Sequence, residues 1–357
     1  MGERRDGLRV GVVGVGYWGS KHVRVLRSTT GVGEVASIDQ RLSGSGEPAS
    51  FGDLSEALPG IDAVVIATPP STHADLALQA IMAGKHVLVE KPLATTVAEA
   101  RLIIKAAGAM GVVLMAGHTF EHNAAVHKLR ELVQQRDLGQ LYYLDCARLN
   151  LGLYQPDVNV IADLAPHDIS ISNFVLAARP SRVRAWGSRH VHPDYEDVAH
   201  MQLDYDEIGV RTHIHVSWLD PRKVRRVTAV GSEKMAVYND LAEDEKIRVY
   251  DKSAMPPEEA EGPLSRVAYH TGGVQSPYVA FAEPLAVQDQ HFVDCVVNGA
   301  RPSVDGDSGL AVVEVLEAAQ ISMAEQRAVE LTEVSQPLSI DFVPRQQLAL
   351  APSGAPA

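Results

Sequence analysis

The sequence predicts an α/β first part built on a parallel sheet, followed by an α+β part whose strands pair mostly antiparallel. Three observations predict it. Short apolar runs alternate with helical patterns as far as His122. A glycine-rich turn joins the first apolar run to the first helix. Strand-like segments separated by turn residues then crowd residues 182–250. The expected division is residues 1–122 for the first domain and 123–345 for the second, with 346–357 as a disordered tail of Ala, Pro, Ser and Gly.

The elements follow in order. Residues 8–13 read as a strand, 18–26 as a helix and 35–38 as a second strand. Residues 63–67 form a buried strand and 72–83 a helix. A strand at 86–89, a helix at 97–109 and a strand at 112–115 complete the β-α-β alternation, which calls for a parallel sheet with helices on both faces. Beyond it, a helix over 124–135 leads to a strand over 141–149, and a helix is predicted from Pro166 to 176, with the proline in its first turn. Strands are predicted at 182–186, 199–205, 210–218, 226–230, 235–238 and 246–250. Turn pairs such as Asp206-Glu207 and Gly231-Ser232 suit antiparallel neighbours. In the 210–218 strand, Arg211, His213, His215 and Ser217 share one face, and Thr212, Ile214, Val216 and Trp218 the other. Residues 253–284, rich in Pro, Gly, Glu and Ser, read as an irregular excursion before helices at 286–297 and 308–326.

Composition narrows the function classes. The 357-residue chain is 46% hydrophobic and 22% charged, the profile of a globular protein. Its formal net charge of -13 and its lack of a basic stripe argue against nucleic acid as a partner. Arg222, Lys223, Arg225 and Arg226 form the one dense basic cluster, either a solvated strand edge or a clamp for an anionic substrate. Cys146 and Cys295 have no metal-finger or CxxC spacing and make no disulfide framework, which fits a reducing cytoplasm. The run Val10 to Val15 is broken by Gly11 and Gly14 and is too short to span a membrane. No HExxH occurs, and His213 with His215 is an isolated pair, so no metal is expected.

Gly14-Val15-Gly16-Tyr17-Trp18-Gly19 is a GxGxxG that follows a strand and opens a helix. In that context the first glycine makes the turn, the second admits a pyrophosphate and the third lets helix and strand pack. The N-terminus of the helix then offers N–H groups to phosphate. This is the signature of a Rossmann dinucleotide-binding domain. Asp39 ends the second strand, where a carboxylate accepts hydrogen bonds from the adenosine ribose and repels a 2′-phosphate. NAD is therefore expected over NADP, although Arg41 beside it can welcome that phosphate.

The string Gly84-Lys85-His86-Val87-Leu88-Val89-Glu90-Lys91-Pro92-Leu93 runs a buried strand straight into Lys91, placing the lysine at the carboxyl edge of the sheet, where ligands of such folds sit. With these motifs, with Ala67-Thr68-Pro69-Pro70-Ser71-Thr72-His73 and with Asp163-Leu164-Ala165-Pro166-His167-Asp168, nearly the whole chain resembles the glucose-fructose oxidoreductase and inositol dehydrogenase (Gfo/Idh/MocA) family. The resemblance implies a second domain with a large open sheet that joins subunits into a homodimer or homotetramer. It implies Lys91, Asp163 and His167 as the catalytic set, and NAD contacts from Gly14, Gly16, Tyr17, Trp18, Gly19, Asp39, Thr68, Pro69, His73, Glu90 and Lys91. The four-residue spacing of Asp163 and His167 suits one helix face.

Two stretches, Arg148-Leu149-Asn150-Leu151-Gly152 and Ser217-Trp218-Leu219-Asp220-Pro221-Arg222-Lys223, resemble the branch acting on nucleotide-linked sugars. They imply Arg148, Asn150 and Arg222 as substrate contacts, and oxidation at C3 of a UDP-sugar such as UDP-glucose. An inositol or free-sugar dehydrogenase and a keto-sugar reductase stay open, as does a non-catalytic sugar or NAD sensor on the same fold. Retention of Lys91, Asp163 and His167 argues for the enzyme.

Overall fold

The computed structural model describes residues 7–43, 49–152, 154–155, 158–191, 193–255 and 267–335. The expected tail at 346–357 lies outside them. The first elements are β1 (Leu8–Val13), α1 (Tyr17–Leu26), β2 (Val32–Ile38), β3 (Ser50–Phe51), α2 (Leu54–Ala57), β4 (Ala63–Ile66), α3 (His73–Met82), β5 (His86–Glu90), α4 (Val97–Met110) and β6 (Leu114–Gly117). Then follow α5 (Ala124–Gln134), β7 (Leu141–Leu151), α6 (Val160–Leu176), β8 (Arg182–Ser188), β9 (Val198–Tyr205), β10 (Val210–Ser217), β11 (Leu219–Gly231), β12 (Met235–Asn239), β13 (Ile247–Met255) and β14 (Ala268–Gln275). The chain closes with α7 (Pro284–Asn298), α8 (Gly306–Glu325), β15 (Val329–Glu330) and α9 (Leu331–Val334). Among the described residues no helix is long and apolar enough to cross a membrane.

Two compact units result. The first holds residues up to His118 together with Leu285–Val313; the second holds Thr119–Pro284 and Glu314–Ser335. A division at 122 therefore leaves out a piece of the first unit that lies far along the chain. Phe292 and Val293 of α7 join Val10, Val12, Leu26, Val65 and Leu88 in one buried cluster. Nothing local in 285–313 announces that destination.

In the first unit six parallel strands lie in the order β3-β2-β1-β4-β5-β6. Strands β4 and β6 are buried at every residue, as strands with helices on both faces must be. The strand order turns back between β1 and β4, the place where such sheets open a crevice at their carboxyl ends.

The second unit carries a nine-stranded sheet in the order β14-β13-β12-β11-β7-β10-β9-β8-β15. Its pairs are antiparallel except β7 with β10, which run parallel. In β10, Arg211 and His213 are exposed while Thr212, Ile214 and Val216 are buried, as alternation predicts; Ser217 departs from it and is buried. Residues 268–275, read from sequence as irregular, form β14. All eight are exposed, so no hydrophobic alternation marked the strand.

The helix expected at Pro166 begins six residues earlier. Asn159 caps it, its side chain accepting the Ala162 N–H at 3.1 Å, and Pro166 lies inside the helix. A proline is tolerated at a first turn, but a capping asparagine sets the start more strongly than a proline does. Asp163 and His167 consequently both lie on α6, one turn apart, with Asp163 in its first turn.

Candidate active site

The carboxyl edge of the first sheet is built by backbone constraint. Gly14 has φ +84°, and a Cβ there would meet Thr68 Cγ2 at 2.8 Å and the Ala67 carbonyl at 2.9 Å. A Cβ at Gly19 would land on the Gly14 carbonyl oxygen, so the turn and the first helical turn close only on glycine. Gly16 differs, since nothing lies within 4 Å of its Cβ position. It caps α1 without a side chain, and the first turn holds no acidic residue. No side chain caps the helix start and space is open at Gly16, the arrangement an anion needs. Tyr17 and Trp18 share that backbone; their exposed rings flank the Lys21 ammonium, at 3.9 and 4.5 Å.

Asp39 sits across this space. One carboxylate oxygen accepts the Val15 N–H at 3.0 Å, tying the acid to the glycine turn. Arg41 donates its backbone N–H at 3.1 Å and two guanidinium N–H groups at 2.8 and 2.7 Å. The Arg41 hydrogen bonds, then the Val15 N–H, hold the Asp39 carboxyl well below the usual carboxylate range despite partial burial. Asp39, Gly14, Gly16, Thr68 and Pro69 line a cleft of about 560 Å³. Open space at Gly16, a helix start without a side-chain cap and a fixed carboxylate fit a dinucleotide.

Not every residue expected at this edge faces the cleft. His73 is buried and its ring nitrogens lie 2.8 Å from the Pro92 carbonyl and 2.9 Å from the Thr68 carbonyl. It splints the end of β4 to the Glu90-Lys91-Pro92 segment. Glu90 is 7% exposed and turns inward, one oxygen 3.1 Å from His22 Nε2 and the other accepting the Lys91 N–H at 3.3 Å. Lys91 follows directly at the end of β5. His22 and its second partner Asp289 were not foreseen. Their signal was faint: His22 falls on the buried stripe of α1 with Gly19, Val23 and Leu26, where an apolar residue belongs.

In the second unit, α6 supplies the other expected pair. Asp163 accepts the indole N–H of Trp218, a buried residue 55 positions away, at 3.1 Å. The His167 ring meets the Phe120 ring edge-on, centroids 5.0 Å apart. Arg148, expected at substrate, is held by its own neighbours: its guanidinium grips buried Asp168 at 2.9 and 3.0 Å and stacks 4.8 Å from the Phe120 centroid. Two of its donors are committed to this buried ion pair. Asn150 lies beside Gly152, and among the described residues its Oδ1 has no hydrogen-bond partner. The basic cluster is partly neutralised, with Arg225 on Asp240 at 3.2 Å and Arg226 on Asp145 at 3.4 Å. Arg222 is exposed on β11, its N–H donating to Asp220 at 2.8 Å.

Comparison with known proteins agrees with this geometry. Residues 8–118 match the model of an oxidoreductase family with an NAD-binding Rossmann fold, and residues 126–237 match the GFO/IDH/MocA C-terminal domain. The chain is 33% identical to UDP-N-acetylglucosamine 3-dehydrogenase of Acidithiobacillus ferrooxidans, over 86% of its own length and 94% of that protein. It is 23% identical to inositol 2-dehydrogenase of Rhizobium meliloti, over 91% and 99% of the two chains. Among solved structures, GenD2 from gentamicin A biosynthesis, in complex with NAD, superposes with a TM-score of 0.75 at 27% identity, covering 92% of this chain and 98% of that one.

Proposed function

This chain belongs to the GFO/IDH/MocA family of NAD-binding oxidoreductases, and we propose that it moves a hydride between NAD and a secondary hydroxyl or ketone of a sugar, at C3 of a UDP-linked sugar. The observation that carries the chemistry is one sheet edge that bears a glycine turn with open space at Gly16, a carboxylate tied to that turn and, at the end of β5, Lys91. The nucleotide-sugar assignment is supported by the relative that is 33% identical over 94% of its length. Arg222, exposed on β11, is the residue we assign to the diphosphate.

NAD, when bound, supplies the hydride acceptor. The chain's own residues must manage the proton. An alcohol is a poor hydride donor until its O–H bond is breaking, so a base with a pKa near neutrality belongs at the reacting oxygen. We assign proton removal to His167, whose ring is steadied by Phe120, and orientation of that imidazole to Asp163, itself held by Trp218. The Lys91 ammonium stabilises the negative charge that grows on the same oxygen. The two basic residues are exchangeable in this scheme, and hydride transfer runs in either direction.

The test is a panel of UDP- and TDP-sugars, inositols and free sugars with NAD, followed by absorbance of the reduced cofactor. UDP-sugars should lead. Lys91→Ala and His167→Ala should each lower turnover at least ~100-fold on the best substrate, with NAD binding retained by calorimetry. Near-normal turnover in both variants would overturn the assignment of Lys91 and His167, and no turnover by the parent on any sugar of the panel would return the chain to the sensor reading.

We further propose a cytoplasmic homodimer or homotetramer joined through the open sheet. The support is an exposed face on which Trp186, His200 and His215 stack, and where Tyr143 lies 6.0 Å from His213. A monomer by light scattering at micromolar concentration would exclude it.

A further inference from the structure

His22 has no place in the scheme above, yet it is fully buried between two carboxylates. It sits on α1, three residues beyond Gly19. Its Nδ1 lies 3.0 Å from both oxygens of Asp289 on α7, and its Nε2 lies 3.1 Å from Glu90 at the end of β5. An ionised carboxylate only accepts hydrogen bonds, and a neutral imidazole has one N–H to give. A neutral ring would set a lone pair against one of the acids. An imidazolium satisfies both.

The charges close on the same answer. Glu90 and Asp289 contribute two negative charges, and His22 and Lys91 two positive ones. Two buried carboxylates without the imidazolium would carry a large desolvation penalty. The other titratable groups near Glu90 are His73, at the start of α3, and His118, just after β6; burial depresses His118 to about 4, so it adds no charge at neutral pH, and burial lowers His73 against the pull of the Pro92 and Thr68 carbonyls on its two ring nitrogens. Burial works against ionising His22, but the charge and hydrogen bond of Asp289, followed by those of Glu90, raise it to about 10. Burial likewise resists ionisation of Glu90, and His22 with Lys91 overcomes it, holding this carboxyl below its ordinary value. Asp289 goes the other way, because burial outweighs the pull of His22.

Glu90 has no freedom to turn elsewhere. Its second oxygen takes the Lys91 N–H. Gly117 of β6 makes way for it on a third side: a Cβ there would meet Glu90 Cα at 2.9 Å and Oε1 at 3.0 Å. The carboxylate is therefore pinned by His22 on one side and by the peptide of Lys91 on the other.

We infer that His22 is a positioning residue: an imidazolium clasped between Glu90 and Asp289, it seats Glu90 beneath Lys91 and offsets the Glu90 charge that would otherwise bear on the lysine alone. The same side chain ties the helix that opens at the glycine turn to the strand that ends at Lys91. The consequence for catalysis rests on the role proposed for Lys91; the protonation state of His22 does not.

Two experiments test it. The first uses the wild-type protein without cofactor or substrate, with ¹⁵N-labelled histidine and His22→Gln for assignment. Both ring nitrogens of His22 should carry protons at neutral and mildly alkaline pH; a neutral ring at neutral pH overturns the inference. If His22→Gln does not fold, Asp289→Asn gives the assignment by its shift. The second is turnover on the best substrate of the panel. Folded His22→Gln should bind NAD within about threefold of wild type but lose about 10–100-fold in kcat, the usual cost of removing a partner one bond removed from a reacting group. Its pH profile should also move, because the Glu90 charge then falls undivided on Lys91 and favours the protonated amine. Adding Asp289→Asn, which removes the second buried charge, should restore folding stability but not the pH profile. A merely structural histidine would lower the melting temperature and leave kcat and the profile of the folded fraction unchanged, which also overturns the inference. Retained turnover in Lys91→Ala would sink the Lys91 assignment and leave the ring-nitrogen result standing.

Discussion

The glycine edge of the first sheet and the Asp163–His167 face of α6 supply residues to the same proposed reaction, but they are encoded in different ways. At the glycine edge the proposed function rests on backbone. Gly14, Gly16 and Gly19 are assigned through what their missing side chains permit, and the tightest of these constraints, Gly19 against the Gly14 carbonyl, lies within the turn itself. On α6 the function is carried by side chains, and what holds them comes from far along the chain: Trp218 for Asp163 and Phe120 for His167. A locally encoded site is legible as a motif. A site held by long-range contacts shows only its residue types.

The largest effects should appear where the backbone itself is the constraint. Gly19→Ala drives a Cβ onto the Gly14 carbonyl, backbone against backbone, and neither can retreat without opening the turn. We expect a loss of about 1–3 kcal/mol in stability together with loss of NAD binding, read by thermal melting and calorimetry. Gly16→Ala sharpens the contrast. Its Cβ meets no protein atom, so stability should stay within about 1 kcal/mol of the parent while NAD affinity falls. Equal effects in the two variants would mean that the space at Gly16 is not where the pyrophosphate lies.

The α6 face should respond to a change made 55 residues away. Trp218→Phe keeps an aromatic ring in the buried site beside Tyr154 and removes the indole N–H that Asp163 accepts, together with part of the fused ring, so thermal melting reads the cavity apart from turnover. Hydrogen bonds to a charged group contribute about 1.5–3 kcal/mol, so we expect turnover to fall about tenfold with NAD affinity unchanged. Unchanged turnover would show that Asp163 needs no distant support and would erase the contrast between the regions.

The same distinction explains what the sequence disclosed. The parallel sheet and the glycine turn were legible because hydrophobic runs and turn residues report on local geometry, while β2 begins three residues before the reading, β6 lies two residues later and the two-residue β3 was missed. The start of α6 was misplaced because Pro166 gave a strong local signal and Asn159 a quieter one. Strand β14 was missed because none of its residues is buried. The expectation for Arg148 named a substrate contact, and its buried partner Asp168, 20 residues on, was not foreseen. His22 escaped notice for the same reason: its meaning lies in Asp289, 267 residues away.

The smallest predicted effect lies at Asp39, where a local motif is modified by its own neighbour. The carboxylate that should receive a ribose diol already accepts two guanidinium N–H groups of Arg41, at 2.8 and 2.7 Å. Arg41 is 71% exposed at its side chain, so it can swing into solvent with little loss, as surface pairs do. A ribose carrying free hydroxyls then displaces it from Asp39. A ribose carrying a 2′-phosphate meets the carboxylate unfavourably, and the displaced Arg41 is the cation at hand to offset that. Arg41→Ala should therefore widen the preference for NAD over NADP, by less than about fivefold because the pair is exposed and screened. Asp39→Ala should narrow the same preference by removing the repulsion. Both are read as kcat/KM ratios for the two cofactors at one ionic strength. Should Arg41→Ala narrow the preference, the arginine would be holding Asp39 in its NAD-binding pose, and the pair would be a scaffold with no part in discrimination.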